Sequence, residues 1–181
     1  GKPTAFEFKN STQSASLSFS RRNIPFEMGG KSDETSFEGA KEIPYKIANV
    51  HIATTNIETS VPLGFWRSVG HSNTGFFIEG FIDELAAAAK ADPMDYRRDL
   101  LKDNPRLLAL ADMLKEKSGW ATKLEGAGRG RGVSIHTSFR THVGEVAEVT
   151  VTPDGKIKVD RVFAVVDCGQ AINPDSIAAQ M

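Results

Sequence analysis

Arg67 and His71 sit in the polar stretch Gly64-Phe65-Trp66-Arg67-Ser68-Val69-Gly70-His71-Ser72, directly ahead of an apolar run that reaches Ala89. A loop that opens a helix brings free backbone N–H groups and a partial positive charge to one point, which suits an anion. An adjacent guanidinium adds a planar fork of donors matched to phosphate or an oxo group. The competing reading is a capped surface helix whose Arg67 and His71 are merely solvated. Spacing alone leaves both open.

Other chemistry-bearing residues read as structural. His136 and His142, taken as lying on one strand, would stand about 20 Å apart and so could not share a metal. Cys168 is the single cysteine and shows no basic neighbour, so it reads as a structural thiol. His51 falls on the polar phase of a strand-like stretch, and Arg21-Arg22 reads as a solvated pair. The run Gly126-Ala127-Gly128-Arg129-Gly130-Arg131-Gly132 lacks a strand before it and a helix after it. It is therefore not a dinucleotide fingerprint, and a flexible loop near some anionic group is expected instead.

Strands and helices must hold these residues in place. Residues 4–10 and 45–58 alternate apolar and polar and suit strands. Residues 11–40, rich in Ser, Gly and charge, read as a long loop. In the apolar run, Ser72, Asn73 or Thr74 can cap a helix whose buried stripe is Phe77, Ile78, Phe81, Ile82, Leu85 and Ala89. Gly80 within it implies close approach of another backbone. Asp92-Pro93 and Asn104-Pro105 each read as a cap followed by proline, opening two more helices, with Gly119 ending the second. Trp120 is expected to anchor that turn. From Val133 the period becomes two, and Pro153-Asp154-Gly155 turns an antiparallel meander of about three strands. Asn173-Pro174 then opens a last helix. The fold expected is α+β: a mostly antiparallel or mixed sheet with a three-helix insert packed on it. Three segments follow: 1–60 strands and loop, 61–120 loop and helices, 121–181 meander and the start of a helix.

Composition narrows the function classes. The chain has 181 residues, 22 basic and 23 acidic, for a net charge of −1. That lacks the clustered positive charge a nucleic-acid face requires. No apolar run approaches the roughly 20 residues of a membrane span. Both ends read as cuts, with a strand pattern beginning almost at once and Ala178-Ala179-Gln180-Met181 stopping inside a starting helix. A section of a longer chain is expected.

Three stretches in order carry a family resemblance: Gly64 to Ser72; Phe81-Ile82-Asp83-Glu84-Leu85-Ala86 with Asp92-Pro93; and Val166-Asp167-Cys168-Gly169 with Ile172-Asn173-Pro174 and Gln180. Together they resemble the molybdenum-binding large subunit of the xanthine dehydrogenase and aldehyde oxidase family, nearest the branch that holds the beta subunits of isoquinoline 1-oxidoreductase. The resemblance runs from about residue 40 to the end. It implies an oxidoreductase that hydroxylates a small aromatic heterocycle or an aldehyde, with water as oxygen source. It also implies a molybdenum–molybdopterin cofactor, in the cytosine dinucleotide form, and a small 2Fe-2S partner subunit that takes the electrons. The metal is then held by the pterin, so no protein metal ligands are expected. By the same resemblance Arg67, Ser68, Gly70 and His71 lie against the cofactor, Gln180 hydrogen-bonds the pterin, and Val69 stands in the substrate pocket where an aromatic residue is usual. Val143-Gly144-Glu145 imitates the catalytic Gly-Val-Gly-Glu but precedes the Asn-Pro motif instead of following it. The catalytic glutamate is thus expected downstream of Met181, and the section alone is expected to be inactive and without bound cofactor. Exposed apolar surface would favour self-association. The compartment stays open between bacterial cytoplasm and periplasm. The alternative function is a non-catalytic α+β module that binds an anionic ligand or a protein partner.

Overall fold

Alternation at the start of the chain forms strand β1, Ala5–Thr12, and Asn49–Asn56 forms β2. The two pair in parallel, Ala5 opposite Asn49 and Thr12 opposite Asn56. His51 lies on the exposed side, its Nδ1 2.9 Å from Glu7 Oε1. The computed structural model describes all residues from Gly1 to Met181. They divide into two units, one of residues 1–43 and 47–89, the other of 44–46 and 90–181.

The first unit departs from expectation between residues 11 and 40, which are not a long loop. They contain helix α1, Ala15–Asn23, and a 3₁₀ turn over Glu34–Ser36. Helix α1 buries Ser16 and Ser20 rather than an apolar stripe, so its periodicity is invisible to a hydrophobic pattern. It is held by Asp33, a buried carboxylate. Ser14 Oγ caps α1 by accepting from Leu17 N at 2.9 Å and donates to Asp33 Oδ2 at 2.6 Å. Asp33 also accepts from Ser16 N and Ser16 Oγ, both at 3.0 Å, from Thr35 N at 3.1 Å and from Thr35 Oγ1 at 2.7 Å.

Helix α2, His71–Ala88, completes the unit. Its buried residues are His71, Thr74, Ile78, Glu79, Ile82 and Ala86. The expected stripe is therefore rotated: Ile78 and Ile82 are core, whereas Phe77 and Phe81 are exposed and Glu79 is inside. Gly80 is exposed, and a Cβ there would meet nothing within 4 Å. The close approach expected at Gly80 is not made within this chain.

The second unit follows its sequence signals closely. Asp92 Oδ1 accepts from Met94 N and Asp95 N to open α3, Pro93–Leu100. Asn104 Oδ1 accepts from Leu107 N to open α4, Pro105–Lys117, which buries Leu107, Leu110, Ala111 and Leu114. Gly119 takes φ +62° just after α4. Trp120 is half-buried and donates through Nε1 to Asp92 Oδ2 at 2.9 Å, tying the end of α4 to the start of α3. Strands β3 (Arg129–Ser138), β4 (Thr141–Val151) and β5 (Ile157–Asp167) form an antiparallel sheet in that order. The class is α+β, with the strands in two sheets of two and three.

The Gly-rich run is mostly strand, since β3 begins at Arg129. Its arginines explain this. Glu148 on β4 is fully buried and takes Arg161 Nε at 3.0 Å and Nη2 at 2.7 Å on Oε2. Arg131 Nη2 stands 3.3 Å from Oε1 and Arg129 Nη2 3.4 Å from Oε2. His136 and His142 lie on two strands, not one, because Phe139 and Arg140 turn the chain between them. Thr137 faces His142, which puts His136 on the opposite side of the sheet. The two histidines still cannot share a metal, for a different reason.

Asp33 supports a stability prediction. Burial alone would raise its pKa, but the donors from Ser14, Thr35 and Ser16 outweigh that and hold it below 3.8. Its contribution is thus complete above the unfolded value and is lost as pH falls through the lower folded value. Asp33→Ala leaves several donors unsatisfied and should cost about 3 kcal/mol, read as a lowered midpoint in urea unfolding.

Candidate functional site

Helix α1 fixes the entry to the loop ahead of α2. Ser18 Oγ accepts from Leu63 N at 2.8 Å, and Arg22 donates to Leu63 O. The Phe19 and Phe65 rings pack with centroids 5.4 Å apart. The segment that lacks any apolar period therefore positions the residues that could do chemistry.

The 3₁₀ turn fixes the exit. A Cβ on Gly70 would stand 2.3 Å from Thr35 O and 3.2 Å from Glu38 N, so only glycine fits. Thr74 Oγ1 donates to Glu38 O and to Gly70 O, the latter at 2.9 Å. Between these anchors Ser68 and Val69 adopt φ +70° and +47°. A β-branched residue in the left-handed region is a true outlier, costing roughly 1–3 kcal/mol, and persists only where its surroundings determine it. Ser72 Oγ braces the loop, 2.7 Å from Ser68 Oγ and donating to Arg67 O at 3.1 Å.

The helix start is not open as the sequence suggested. No side chain caps α2; Gly70 is the N-cap residue. Its first N–H groups are taken within the chain: Gly70 N donates to Glu38 Oε2 at 3.3 Å, His71 N to Ser68 O at 2.9 Å, and Ser72 N to Val69 O at 3.3 Å. Thr74 N donates to Gly70 O at 3.0 Å. A carboxylate of the protein already occupies the place an anion would take. The cause is the tight turn through Ser68 and Val69, which closes hydrogen bonds on itself before the helix begins.

The remaining surface is a cleft of about 140 Å³ lined by Thr35, Leu63, Phe65, Trp66, Val69 and Asn73, among others. Arg67 is exposed, Ser68 and Val69 are half-buried, and His71 is buried. Gln180 is an exposed residue of the second unit, just beyond the short helix α5, Pro174–Ala178, which Asn173 caps through Ser176 N at 3.1 Å. Glu145 is exposed in the middle of β4. Its neighbour Gly144 has a packing role: a Cβ there would lie 2.6 Å from Leu110 Cδ2, so glycine lets α4 sit on the sheet. No group of three or more His, Cys, Asp and Glu side chains is arranged to hold a metal ion. No helix is long and apolar enough to cross a membrane.

One polar cluster escaped the sequence reading. Arg106 on α4 grips Asp167 in a two-pronged pair, Nε to Oδ2 at 2.9 Å and Nη2 to Oδ1 at 2.7 Å. Gly169 N adds a bond to Oδ1 at 3.0 Å. His142, paired opposite Asp167, donates to or accepts from Thr137 Oγ1 at 2.7 Å, and burial lowers its pKa. The signal was a lone acid at a strand end, with a partner 61 residues away. Cys168 next to it is a free, half-buried thiol.

Two measurements check this geometry. Val69→Gly removes the strain at φ +47° and should leave stability unchanged or raise it by up to about 1 kcal/mol, while Gly70→Ala should lower it by several times that, both read by thermal unfolding. Arg106, the largest cause, and Gly169 N hold Asp167 at about 2. Arg106→Gln should move that pKa up toward 3.8, seen by carbon-detected carboxyl titration. In the native protein the clamp's stabilisation is present above pH 3.8 and disappears as pH falls through 2.

Comparison with known proteins adds two relatives. No family model matches the chain. It is 30% identical over 142 residues to the beta subunit of isoquinoline 1-oxidoreductase from Brevundimonas diminuta, across 77% of this chain and 18% of that protein. It is 32% identical over 173 aligned positions to the B subunit of nicotinate dehydrogenase from Pseudomonas putida, strain KT2440, across 86% of this chain and 14% of that protein. The chain thus spans less than a fifth of the length of these relatives, and it is similar to one section of two oxidoreductase subunits.

Proposed function

We propose that the chain is a section of a molybdenum hydroxylase large subunit and that the loop Gly64–Ser72 forms one wall of its cofactor site. The observation that carries this reading is the strained pair Ser68 and Val69, locked between α1, the 3₁₀ turn and α2, beside the exposed Arg67. Strain that the surrounding structure maintains is a mark of a functional loop. Both relatives carry names of oxidoreductases acting on nitrogen heterocycles. The substrate class of the whole protein is then an N-heteroaromatic compound, with aldehydes as the other class the family admits.

The residues suit a molybdopterin along one edge only. A cleft of about 140 Å³ is smaller than the roughly 300–1,000 Å³ of a complete small-molecule site. In this reading Arg67 lies against the cofactor's oxo or phosphate oxygens, Ser68 belongs to the same loop with its hydroxyl turned to Arg67 O and Ser72 Oγ, Val69 lines the cleft, Gly70 shapes the turn and His71 is buried at the start of α2. Gln180 is the pterin contact assigned to the second unit. When bound, the cofactor supplies a two-electron oxidation with water as oxygen source, and electrons pass to a 2Fe-2S partner subunit. In this reading the cytosine dinucleotide is the cofactor form, and Glu145 has no catalytic part. The catalytic carboxylate belongs to sequence beyond Met181.

The isolated chain should show no hydroxylase turnover with isoquinoline, nicotinate or an aldehyde; measured turnover would overturn the reading. The open reading frame should encode a downstream Gly-Val-Gly-Glu, and its absence would do the same. In the full subunit Arg67→Ala should lower molybdenum content several-fold by elemental analysis. The alternative, an anion-binding module, has only Arg67 in its favour, because Glu38 holds the Gly70 N–H. It requires that Arg67→Ala abolish phosphate binding by the isolated chain in calorimetry.

A further inference from the structure

We propose that Arg106 is a positioning residue: through Asp167 it fixes the turn at Gly169, and thereby the direction of residues 168–181, which carry Gln180. The proposal rests on the reading of Gln180 as the pterin contact of the second unit and adds the residue that holds it there. Beyond Asp167, the last residue of β5, the chain buries almost nothing. Cys168 and Ile177 are half-buried, every other residue to Met181 is exposed, and Ile172 is 85% exposed. The segment has internal order of its own. Asn173 caps α5, its carbonyl accepts from Ile177 N at 3.3 Å, and Gln180 N donates to Ile177 O at 3.0 Å. Gln180 thus moves with α5 as one piece. Apolar packing does little to orient that piece, so the join with the sheet is where polar contacts can set its direction.

At that join one carboxylate does two things. Asp167 Oδ1 accepts from Gly169 N at 3.0 Å and holds the backbone in a turn through Gly169, at φ +77°. Both carboxylate oxygens also accept from Arg106, at 2.9 and 2.7 Å. A two-pronged pair fixes the plane of a carboxylate as well as its place. The direction from which Oδ1 meets Gly169 N is therefore set by α4. Register explains why Arg106 reaches it. Leu110 packs on Gly144, which pairs with Val165. Asp167 lies two residues beyond Val165 on the same face, and Arg106 lies one helical turn before Leu110. A two-residue strand step of about 6.7 Å nearly matches a helical turn of about 5.4 Å. Exposure decides between a stabilising and an orienting role. The side chains of Arg106 and Asp167 are 52% and 32% exposed, and an ion pair that open to water adds little to global stability. What it can hold is a segment that buries little.

Backbone nitrogen relaxation of this chain reads the positioning directly. In the parent the amides of residues 169–173 should be rigid, with order parameters of about 0.85; Arg106→Gln should bring them below about 0.6 and leave β3–β5 unchanged. Arg106→Lys keeps the charge but not the fork, so it should loosen the same amides instead of restoring them. The thermal midpoint should move little in both variants. In the full subunit Arg106→Gln and Gln180→Ala should each lower molybdenum content several-fold, and the double variant should lower it no further, because the two act in one chain of contacts. A parent already mobile at 169–173, an Arg106→Gln variant as ordered as the parent, a lysine that restores full order, or molybdenum losses that multiply would each overturn the proposal. So would a midpoint that falls together with the order of β5, which would make the pair structural only. Where Gln180→Ala keeps its molybdenum, the assignment of Gln180 fails, and the order parameters alone decide the role of Arg106.

Discussion

A single buried carboxylate, Asp33, holds the candidate site together. Ionised and out of water, it is tolerable only because Ser14, Ser16 and Thr35 surround it with donors. Those donors lie in two segments that share no apolar stripe. The cap of α1 and the turn after residue 33 are thereby joined. The turn presents Thr35 O and Glu38 to Gly70, and α1 presents Ser18 and Phe19 to the start of the same loop. Remove the carboxylate and both ends of the Arg67 loop lose their supports.

The second unit uses the same device with opposite legibility. Glu148 is as buried as Asp33, but its partners Arg131 and Arg161 stand directly opposite it on the neighbouring strands, and Arg129 lies two residues along from Arg131. Arg131 also lies over the Trp120 ring, 5.6 Å from its centroid, so the charge cluster extends to the turn after α4. The geometry of antiparallel pairing delivers these contacts once the strands form. Asp33 has no such lattice; its partners meet through tertiary structure alone.

This difference decides what could be read from the chain. Asp92-Pro93, Asn104-Pro105 and Asn173-Pro174 each opened a helix as expected, because a cap and a fixed φ are local properties. Strand alternation from Val133 was legible for the same reason. Helix α1 was not: serines fill its buried face, and serine is an indifferent helix former whose contribution here depends on a residue 19 positions away. The turn at Phe139-Arg140 was missed because both residues are left-handed without being Gly, Asn or Asp. The rotated stripe of α2 has another cause. Apolar residues cover more than one face of that helix, and a period cannot say which of two apolar faces turns inward. The loop that carries Arg67 and Gly70 ahead of a helix was legible, but the occupation of the helix start by Glu38 was not, since Glu38 lies 32 residues upstream of Gly70, whose N–H it accepts.

The strain at Ser68 and Val69 bears on how the loop would act. A flexible loop must be ordered when a ligand arrives, and the lost freedom subtracts from affinity. Here the order is already set by the folded unit: Gly70 packs so closely on the 3₁₀ turn that a Cβ would stand 2.3 Å from Thr35 O, and Ser72 ties Ser68 to the first turn of α2. The energy stored in two left-handed residues is small beside the anchors on both sides. A ligand meeting this wall therefore finds the backbone of the Arg67 loop already in place. That is the property expected of one rigid side of a larger site. It follows from steric contact and hydrogen bonding within the first unit, whatever group finally lies against it.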